Sequence, residues 1–442
     1  MTSLLRRLLL SAPTLAGVTA LATALLAGCA TPPPADSPPQ GPADDYLRRA
    51  DAQVLQKENV SVKVAVLRPW ESQAVFGVPL ADKGIQPVFV NIDNRSKQPY
   101  WFMPVYMDRD FFSPREAAYA FTGSSGHEHG GDNPLERSLS QQQVRLHVPA
   151  GGQVRGFVYT AASAGIKLIN VELVGSRSQL QFAFARELPG GGFDNQGLDP
   201  ARLYGSQALP SLTHAQLRNT LRALPCCTTN AEGTVAGDPL NLAFVGTQHE
   251  LLVALVRGGW DFTDTTNASS VGHMISSMLT GSAYRSAPVS KLYFNGRAQD
   301  FSMQRARASG ISQRNHLRLW LAPYRVDGKP VWMGQISRDI GVRLTTRSPF
   351  LTTHKVDPDV DEAREYLRQD LLLSSSLGRW GLVAGVGEAP QSAPRENLTG
   401  DPYFTDGLRL VLFLSDTPRP IREVEVLEWD AAKAPASTPA TR

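Results

Sequence analysis

An apolar residue at every second position is the dominant pattern of residues 59–186, and it restricts this part of the chain to β-structure. The first run, 60–66, alternates valine with serine, lysine and alanine, and a second run spans 88–92. The same alternation predicts four further strands: 143–148, 153–160, 167–174 and 180–184. Several short strands separated by turn residues predict an N-terminal β-sandwich over residues 46–190.

The pattern changes after the glycine-rich break at 189–192. Helical spacing of apolar residues predicts four helices: one at 211–224, one after Thr247, one at 271–279 and one at 360–373. Asn295-Gly296 predicts a tight hairpin turn, and a second hairpin pairs 316–321 with 331–337 around Asp327-Gly328. Helices mixed with antiparallel hairpins predict an α+β domain over residues 191–430, so the fold class of the whole chain is α+β.

The N-terminus indicates where the protein is located. Arg6 and Arg7 precede an apolar stretch, as in a secretory signal, and Leu26-Ala27-Gly28-Cys29 resembles a bacterial lipobox at every position. Residues 1–28 are therefore predicted to be a signal peptide, with Cys29 lipidated after cleavage. Because Ala30 follows, and not the aspartate of enteric-type inner-membrane sorting, we expect a lipid anchor in the outer membrane that faces the periplasm.

Two further segments are predicted to lie outside the folded units. Six prolines among residues 31–45 indicate an extended tether, and the predicted tether spans 29–45. The proline-rich residues 31–45 would reach roughly 45 Å at about 3.1 Å per residue. Residues 431–442 have the composition of a disordered tail.

Charge and hydropathy give no indication of nucleic-acid binding or of a membrane-spanning helix. Removing Arg6 and Arg7 leaves 42 basic against 41 acidic residues, a net charge of +1. Such a balance gives no indication of nucleic-acid binding. After residue 28 no apolar run approaches the roughly 20 residues of a membrane helix, so the predicted membrane contact is the acyl chains alone.

Cys226 and Cys227 are adjacent and remain once Cys29 carries lipid. In an oxidising compartment they are open to three interpretations: a vicinal disulfide, two buried thiols, or a metal or reactive site. A bond between neighbours is strained, because Cα atoms about 3.8 Å apart fall short of the spacing of about 5.5 Å that a disulfide prefers.

One predicted strand of the second domain carries side chains of the types that proteins use for ligand binding and catalysis. Alternation over 315–321 places three leucines on one face and His316, Arg318 and Trp320 on the other. One hypothesis is a pocket wall with an imidazole, a guanidinium fork for an anion and an aromatic surface. The alternative is a half-buried sheet face covered by a helix, with Arg318 in a structural ion pair.

A second cluster lies at 353–362. Asp359, completed by Glu362, is predicted to cap the following helix, with Asp357 as the alternative cap. The functional interpretation makes His316, Arg318, His354 and Asp357 candidate catalytic residues. A candidate set of ligands for a divalent metal such as zinc or manganese consists of four residues: His316, Asp339, His354 and Asp357. His127 and His129 lie in the glycine-rich loop 126–132. They are a candidate metal site, but a solvated loop is the favoured interpretation.

The second domain resembles a known family in six ordered segments. They are 238–246, 259–260, 287–290, 315–320, 331–334 and 354–361, which include Asn315-His316-Leu317-Arg318-Leu319-Trp320 and Val331-Trp332-Met333-Gly334. Over about residues 210–390 the chain resembles the LssY C-terminal domain family. That family implies no activity that can be transferred, although His316, Arg318, Trp320, His354, Asp357 and Asp359 match its motif positions.

Two functions follow as hypotheses. The first is a non-enzymatic envelope module that binds a protein partner or a small anionic ligand. The second is a metal-dependent hydrolase that acts on a phosphorylated or lipid-derived envelope substrate. The chain lacks Gly-x-Ser-x-Gly, P-loop, His-Glu-x-x-His and Gly-x-Gly-x-x-Gly motifs, so the common classes that use them are not indicated.

Overall fold

Two antiparallel sheets form the N-terminal unit of the computed structural model. The structure describes residues 52–122, 133–163, 166–188, 203–205, 208–263, 289–306, 314–344 and 352–430. Several predictions fall outside these residues: the signal, Cys29, the tether, the loop 126–132, the helix at 271–279 and the C-terminal tail. Among the described residues, no helix combines the length and the apolar character needed to cross a membrane.

The strands of the N-terminal unit follow the alternation of its sequence. They are β1 (Gln53–Lys57), β2 (Val60–Val66), β3 (Ile85–Asn94), β4 (Tyr100–Phe102), β5 (His147–Val148), β6 (Gly152–Ala161), β7 (Ile166–Val174) and β8 (Gln179–Glu187). One sheet has the order β1-β2-β3-β6 and the other β5-β4-β7-β8. The predicted strand at 143–148 is shorter than expected, because only its last two residues form β5, while Gln143 makes an isolated bridge to Phe157.

The inward positions of both sheets share one hydrophobic core. Val62, Val90 and Val158 of the first sheet cluster with Phe102 and Phe182 of the second. Burial of every second side chain explains why the period of two is so regular in the sequence. The arrangement agrees with the α+β prediction, whereas the narrower assignment to a β-sandwich stays a prediction.

Three helices cover the other side of the first sheet: α1 (Pro69–Phe76), α2 (Pro114–Thr122) and α3 (Pro134–Gln142). A capping box starts α2, since the Glu116 amide donates to Ser113 Oγ and the Ser113 amide to the Glu116 carboxylate. Three further turns are 3₁₀-helical, at Leu80–Lys83, Pro104–Tyr106 and Ile421–Glu423.

A mixed sheet of ten strands organises the second part of the chain. Its members and the short strands around it are β9 (Ser211–Leu212), β10 (Cys227–Thr229), β11 (Ala236–Pro239), β12 (Leu242–Val245), β13 (Asp261–Phe262), β14 (Tyr293–Phe294), β15 (Arg297–Ala298), β16 (Phe301–Ala306), β17 (Arg314–Val326), β18 (Lys329–Leu344), β19 (Thr352–Val356), β20 (Leu377–Ala384), β21 (Arg395–Glu396), β22 (Pro402–Tyr403), β23 (Leu408–Leu414) and β24 (Glu425–Leu427).

The large sheet has the order β13-β16-β17-β18-β12-β23-β20-β24, with β19 beside β18 and β9 beside β17. A smaller sheet has the order β11-β10-β14-β15, and β21 pairs with β22. The β17–β18 hairpin turns at Asp327 and Gly328, both with positive φ, as predicted. The predicted Asn295-Gly296 turn also forms, but its hairpin is short because β16 pairs with β17 instead.

Among the described residues, three helices accompany the large sheet: α4 (His214–Ala223), α5 (Gln248–Arg257) and α6 (Val360–Leu373). Capping boxes at Thr213 and Thr247 start the first two, and α6 has the predicted bounds. Side chains of α5 and α6 pack on one face of the sheet, and those of α4 pack on the other. Both faces are thereby covered, which places the candidate residues of β17 in the interior.

Candidate functional site

The two faces of β17 differ in chemistry as predicted. Leu317, Leu319 and Leu321 join the hydrophobic core beneath α5 and α6. Trp320 lies on the opposite face and is fully buried; its indole N–H donates to the Arg297 carbonyl oxygen, and its ring packs edge-on against Phe294. Trp320 is therefore a core residue and not the exposed aromatic surface of a pocket.

Neighbouring strands extend the polar part of this face. Gln304 and Ser337 flank His316 on β16 and β18, and Ser302 and Gln335 flank Arg318. We call this set, together with Arg314 and Asp339, the polar face. All eight of its residues are at most 6% exposed: Ser302, Gln304, Arg314, His316, Arg318, Gln335, Ser337 and Asp339. Sequence alternation identified the face but not the depth of its burial.

His316 and Asp339 form a close pair on the polar face. Nε2 of His316 lies 2.6 Å from Oδ2 of Asp339, and their side chains are 6% and 3% exposed. Two of the four predicted metal ligands are thereby brought together. A histidine held by a carboxylate is also the arrangement that orients an imidazole for proton transfer.

Arg318 is held by hydrogen bonds to the protein. Nε donates to the Ser290 carbonyl oxygen at 3.0 Å, Nη1 to Oε1 of Gln335 at 2.7 Å, and Nη2 to the Ser290 hydroxyl at 3.3 Å. Its partners are a carbonyl, an amide and a hydroxyl, so it satisfies its donors without the direct ion pair that the structural alternative predicted.

The opposite charge that acts most strongly on Arg318 is Asp238, which lies on β11 of the smaller sheet. Burial raises the pKa of Asp238, while Arg318 and a hydrogen bond of 3.0 Å from Asn397 act against that rise. Burial also lowers the pKa of Arg318, which Asp238 and Asp339 oppose. Each charge therefore stabilises the other in a poorly solvated environment.

The second predicted cluster has a structural role at the start of α6. Asp359 is the N-cap, and its Oδ1 accepts from the amides of Asp361 at 3.1 Å and Glu362 at 3.3 Å. Asp357 accepts from the Asp359 amide at 3.1 Å. Glu362 pairs with Arg338 at 2.8 Å, whereas a capping box would direct it to the Asp359 amide. The cap prediction is confirmed for Asp359.

The structure describes only some of the side chains of the predicted metal site. Within the described part of the chain, no group of three or more His, Cys, Asp and Glu side chains is placed to hold a metal ion. Asp357 therefore does not complete such a group with His316 and Asp339. His354 pairs with Val342 along β19, and its side chain lies outside the described residues. The four-residue set stays a prediction.

The adjacent cysteines are joined. Of the three interpretations that the sequence left open, the structure has the vicinal disulfide between Cys226 and Cys227. Cys227 opens β10, where its sulfur lies 3.5 Å from the Tyr403 hydroxyl, and it is 6% exposed.

A buried ionic network around Arg364 was not predicted from the sequence. Arg364 donates to both carboxylate oxygens of Asp406, at 2.8 and 2.9 Å, and to the Leu408 carbonyl oxygen at 2.8 Å. Asp361 lies beside it and accepts from the Thr405 hydroxyl and the Asp406 amide. Burial raises the pKa of Asp361 to about 6. The motif 357–361 contains Asp361, but its donors Thr405 and Asp406 lie 44 and 45 residues away and leave no local signal.

Comparison with known proteins finds a family similarity in this part of the chain. No curated protein matches the sequence. Residues 218–408 match the family model described as LssY C-terminus. That range contains the polar face, the disulfide and the Arg364 network, and it extends beyond the end expected from the sequence motifs. The chain therefore carries an LssY-like domain over residues 218–408.

Proposed function

We propose that the protein is a non-enzymatic binding module of the bacterial cell envelope that recognises a ligand or a protein partner. One observation carries the proposal: three of the candidate residues, His316, Arg318 and Asp339, are enclosed and contact other groups of the protein. His316 is 5% exposed, Arg318 6% and Asp339 2%. A catalytic group has to contact its substrate, which these exposures disfavour.

The hydrogen bonds of Arg318 support the same conclusion. A guanidinium that receives an anionic ligand needs donors directed at that ligand. Those of Arg318 are directed at Ser290 and Gln335. The polar face then stabilises the LssY-like domain, and recognition belongs to exposed surfaces of the protein.

The location is part of the proposal. A lipidated Cys29 and the tether 29–45 would hold the folded units near the outer membrane, on its periplasmic side. Two units, a β-sandwich over 46–190 and the LssY-like domain within 191–430, would then project from the anchor. Envelope proximity is the property that both functional hypotheses share.

Membrane fractionation tests this location. Cys29→Ser should release the protein from membranes, whereas Ala30→Ser, which keeps the thiol, should leave it bound. Ala30→Asp should move the protein to the inner membrane if enteric-type sorting applies. Membrane association of the Cys29→Ser protein would contradict the lipid anchor.

The His316–Asp339 pair favours a second candidate, the metal-dependent hydrolase. Its separation of 2.6 Å suits a base held by a carboxylate. The test is to purify the full chain with zinc or manganese present and to measure bound metal, metal-dependent thermal shift and phosphate-ester hydrolysis. Stoichiometric metal, with hydrolysis lost in both His316→Gln and His354→Gln, would overturn the binding module. The absence of all three signals would remove the hydrolase.

A further inference from the structure

A basic cavity lies on the N-terminal unit, on the outer side of β5 and β6. Its volume is about 500 Å³, within the range of small-molecule sites. We call it the basic groove. Eight residues line it: Gln141, Gln143, Arg145, His147, Pro149, Gln153, Val154 and Arg155. None of these eight described residues is acidic, although two carry guanidinium groups, one an imidazole and three an amide.

Alternation along β6 directs two of these polar side chains away from the core. Gln153 and Arg155 are exposed on β6, while Val154 between them is 7% exposed and joins the core. Arg145 and His147 are likewise exposed, and Val148 is buried. His147 and Arg155 are therefore exposed on strands and Arg145 on the segment before β5, whereas the charged groups of the polar face are buried.

A close backbone crossing forms the floor of the groove. The segment 142–144 lies against β6, and the Val144 amide donates to the Phe157 carbonyl oxygen at 3.0 Å. Gly156 permits this contact, since a Cβ there would lie 2.5 Å from the Val144 nitrogen. The crossing brings the segment of Gln143 beside β6, and Gln143, Arg145, Gln153 and Arg155 all line the groove.

An exposed aromatic ring adjoins the groove. Trp101 pairs with His147 between β4 and β5, with ring centroids 5.1 Å apart. The tryptophan is 56% exposed, and Leu146 beside His147 is 44% exposed. An apolar ring at the edge of a cationic site provides a surface on which the C–H face of a planar or ring-shaped ligand can pack.

These groups together match one class of ligand. Guanidinium groups bind carboxylates and phosphates in bidentate geometry. Glutamine amides donate and accept, as arrays of hydroxyl groups require. We propose that the basic groove binds an acidic saccharide, carboxylated or phosphorylated, either free or as the headgroup of a glycolipid. This deepens the proposed binding function by giving it a site and a ligand class.

Calorimetric titration of the full chain in detergent tests the proposal, with tetragalacturonate as the acidic probe and maltotetraose as its neutral counterpart. The wild-type protein should bind only the acidic probe. The double variant Arg145→Gln/Arg155→Gln should weaken that binding at least about tenfold, as expected for lost charge-assisted contacts. Arg422→Gln, which removes an arginine 85% exposed in its side chain on another element, should bind as the wild type does.

Two further arms identify the source and the specificity. Vesicles of phosphatidylcholine with and without a sialylated glycolipid distinguish a headgroup from a free saccharide. Trp101→Ala should weaken binding in whichever arm is positive. Competition by inorganic phosphate at equal concentration, or equal loss in Arg422→Gln, would overturn the saccharide in favour of a plain anion or unspecific charge.

Thermal unfolding separates lost binding from lost folding, since all four substituted residues are exposed and their variants should melt as the wild type does. Failure of every acidic saccharide and glycolipid to bind a folded wild-type chain overturns the inference. If Cys29 still holds that chain at the membrane and no metal-dependent hydrolysis occurs, the envelope-binding function itself stands with another ligand.

Discussion

Arg257 and Glu172 form a completely buried ion pair between the N-terminal unit and the LssY-like domain. Nη1 of Arg257, the last residue of α5, lies 3.0 Å from Oε2 of Glu172 on β7, and both side chains are 0% exposed. The guanidinium carbon also lies 4.8 Å from the centre of the Tyr106 ring. Burial raises the pKa of Glu172, and Arg257 opposes that rise. The contact between the two units thus depends on two charges that compensate each other.

Replacing one member of this pair should therefore be strongly destabilising. Glu172→Ala leaves Arg257 charged and buried without its partner, and we expect a loss of about 3–5 kcal/mol in the free energy of unfolding. Glu423→Ala, in an exposed pair with Arg422 at 3.9 Å, should change it by less than about 1 kcal/mol. Urea unfolding of both variants measures the difference.

The double variant Glu172→Gln/Arg257→Met provides the decisive comparison. Removing both charges should recover much of the stability that Glu172→Ala loses, because no uncompensated charge remains. A loss of less than about 1 kcal/mol in Glu172→Ala would contradict a buried, compensated pair.

The pH dependence of stability should reveal Asp361. Its pKa of about 6 in the folded protein exceeds the ordinary 3.8, so between these values the folded state binds more protons than the unfolded state. The stabilisation is present at low pH and is lost as the pH rises through about 6. Relative to Asp361→Asn, the wild type should lose on the order of 2 kcal/mol between about pH 4 and about pH 7.

Asp430→Asn is the control for this profile. Burial disfavours its charge, but hydrogen bonds from the Ala384 amide, Arg222 and Arg218 hold the pKa of Asp430 at about 2. Its contribution is lost only as the pH falls through that value, so the difference from the wild type should be flat above about pH 4. Urea unfolding at several pH values measures both profiles, and a flat profile for Asp361 would contradict its raised pKa.

Local patterns explain which parts of the fold could be predicted. The leucine face of β17, the bounds of α6 and the caps at Thr213, Thr247 and Asp359 depend on residues a few positions apart, so the sequence contains their signal. Alternation distinguishes the two faces of a strand, but it does not show that both are covered. The burial of His316 and Arg318 therefore could not be predicted from this strand alone, because it depends on other elements that pack against it.

Contacts between distant residues had no such signal. Glu172 and Arg257 are 85 positions apart, and Arg364 reaches Asp406 across 42. The parallel pairing of β12 with β23 likewise joins distant segments. At the candidate site, alternation found His316 and Arg318, but the partners Ser290, Asp238 and Asn397 come from separate loops and strands.

A structural role for Arg318 predicts how replacing it changes the free energy of unfolding. Arg318→Gln removes the hydrogen bonds to Ser290 and leaves Asp238, 8% exposed, without its compensating charge. The expected loss is about 3–5 kcal/mol. Asp238→Asn in that background should restore part of it, with a coupling energy of about 1–3 kcal/mol, because the unpaired charge is removed.

Ser290→Ala is the matched control, since it deletes only the 3.3 Å contact to Nη2 and should have an effect of about 1 kcal/mol or less. A double-mutant cycle in urea measures all of these values. An Arg318→Gln protein as stable as the wild type would contradict the structural role and would favour a ligand pocket at the polar face.

Gly156, which lies beside the basic groove, should not tolerate a side chain. Its φ of 155° is one that side-chain-bearing residues rarely adopt, and an added Cβ would lie 2.5 Å from the Val144 nitrogen and 2.6 Å from the Gln142 carbonyl oxygen. Both contacts are with backbone, which has to shift to relieve them. Gly156→Ala should therefore lower the free energy of unfolding by about 3 kcal/mol or more.

Gly151→Ala separates the steric clash from the backbone conformation. Gly151 also has a positive φ, of 66°, but an added Cβ there meets nothing within 4 Å. Only the conformational cost of about 1–2 kcal/mol should remain. The difference between the two variants in thermal or urea unfolding then measures how tightly the segment 142–144 is held against β6. If both variants lose the same free energy of unfolding, the segment 142–144 is packed less closely against β6 than the contacts of Gly156 imply.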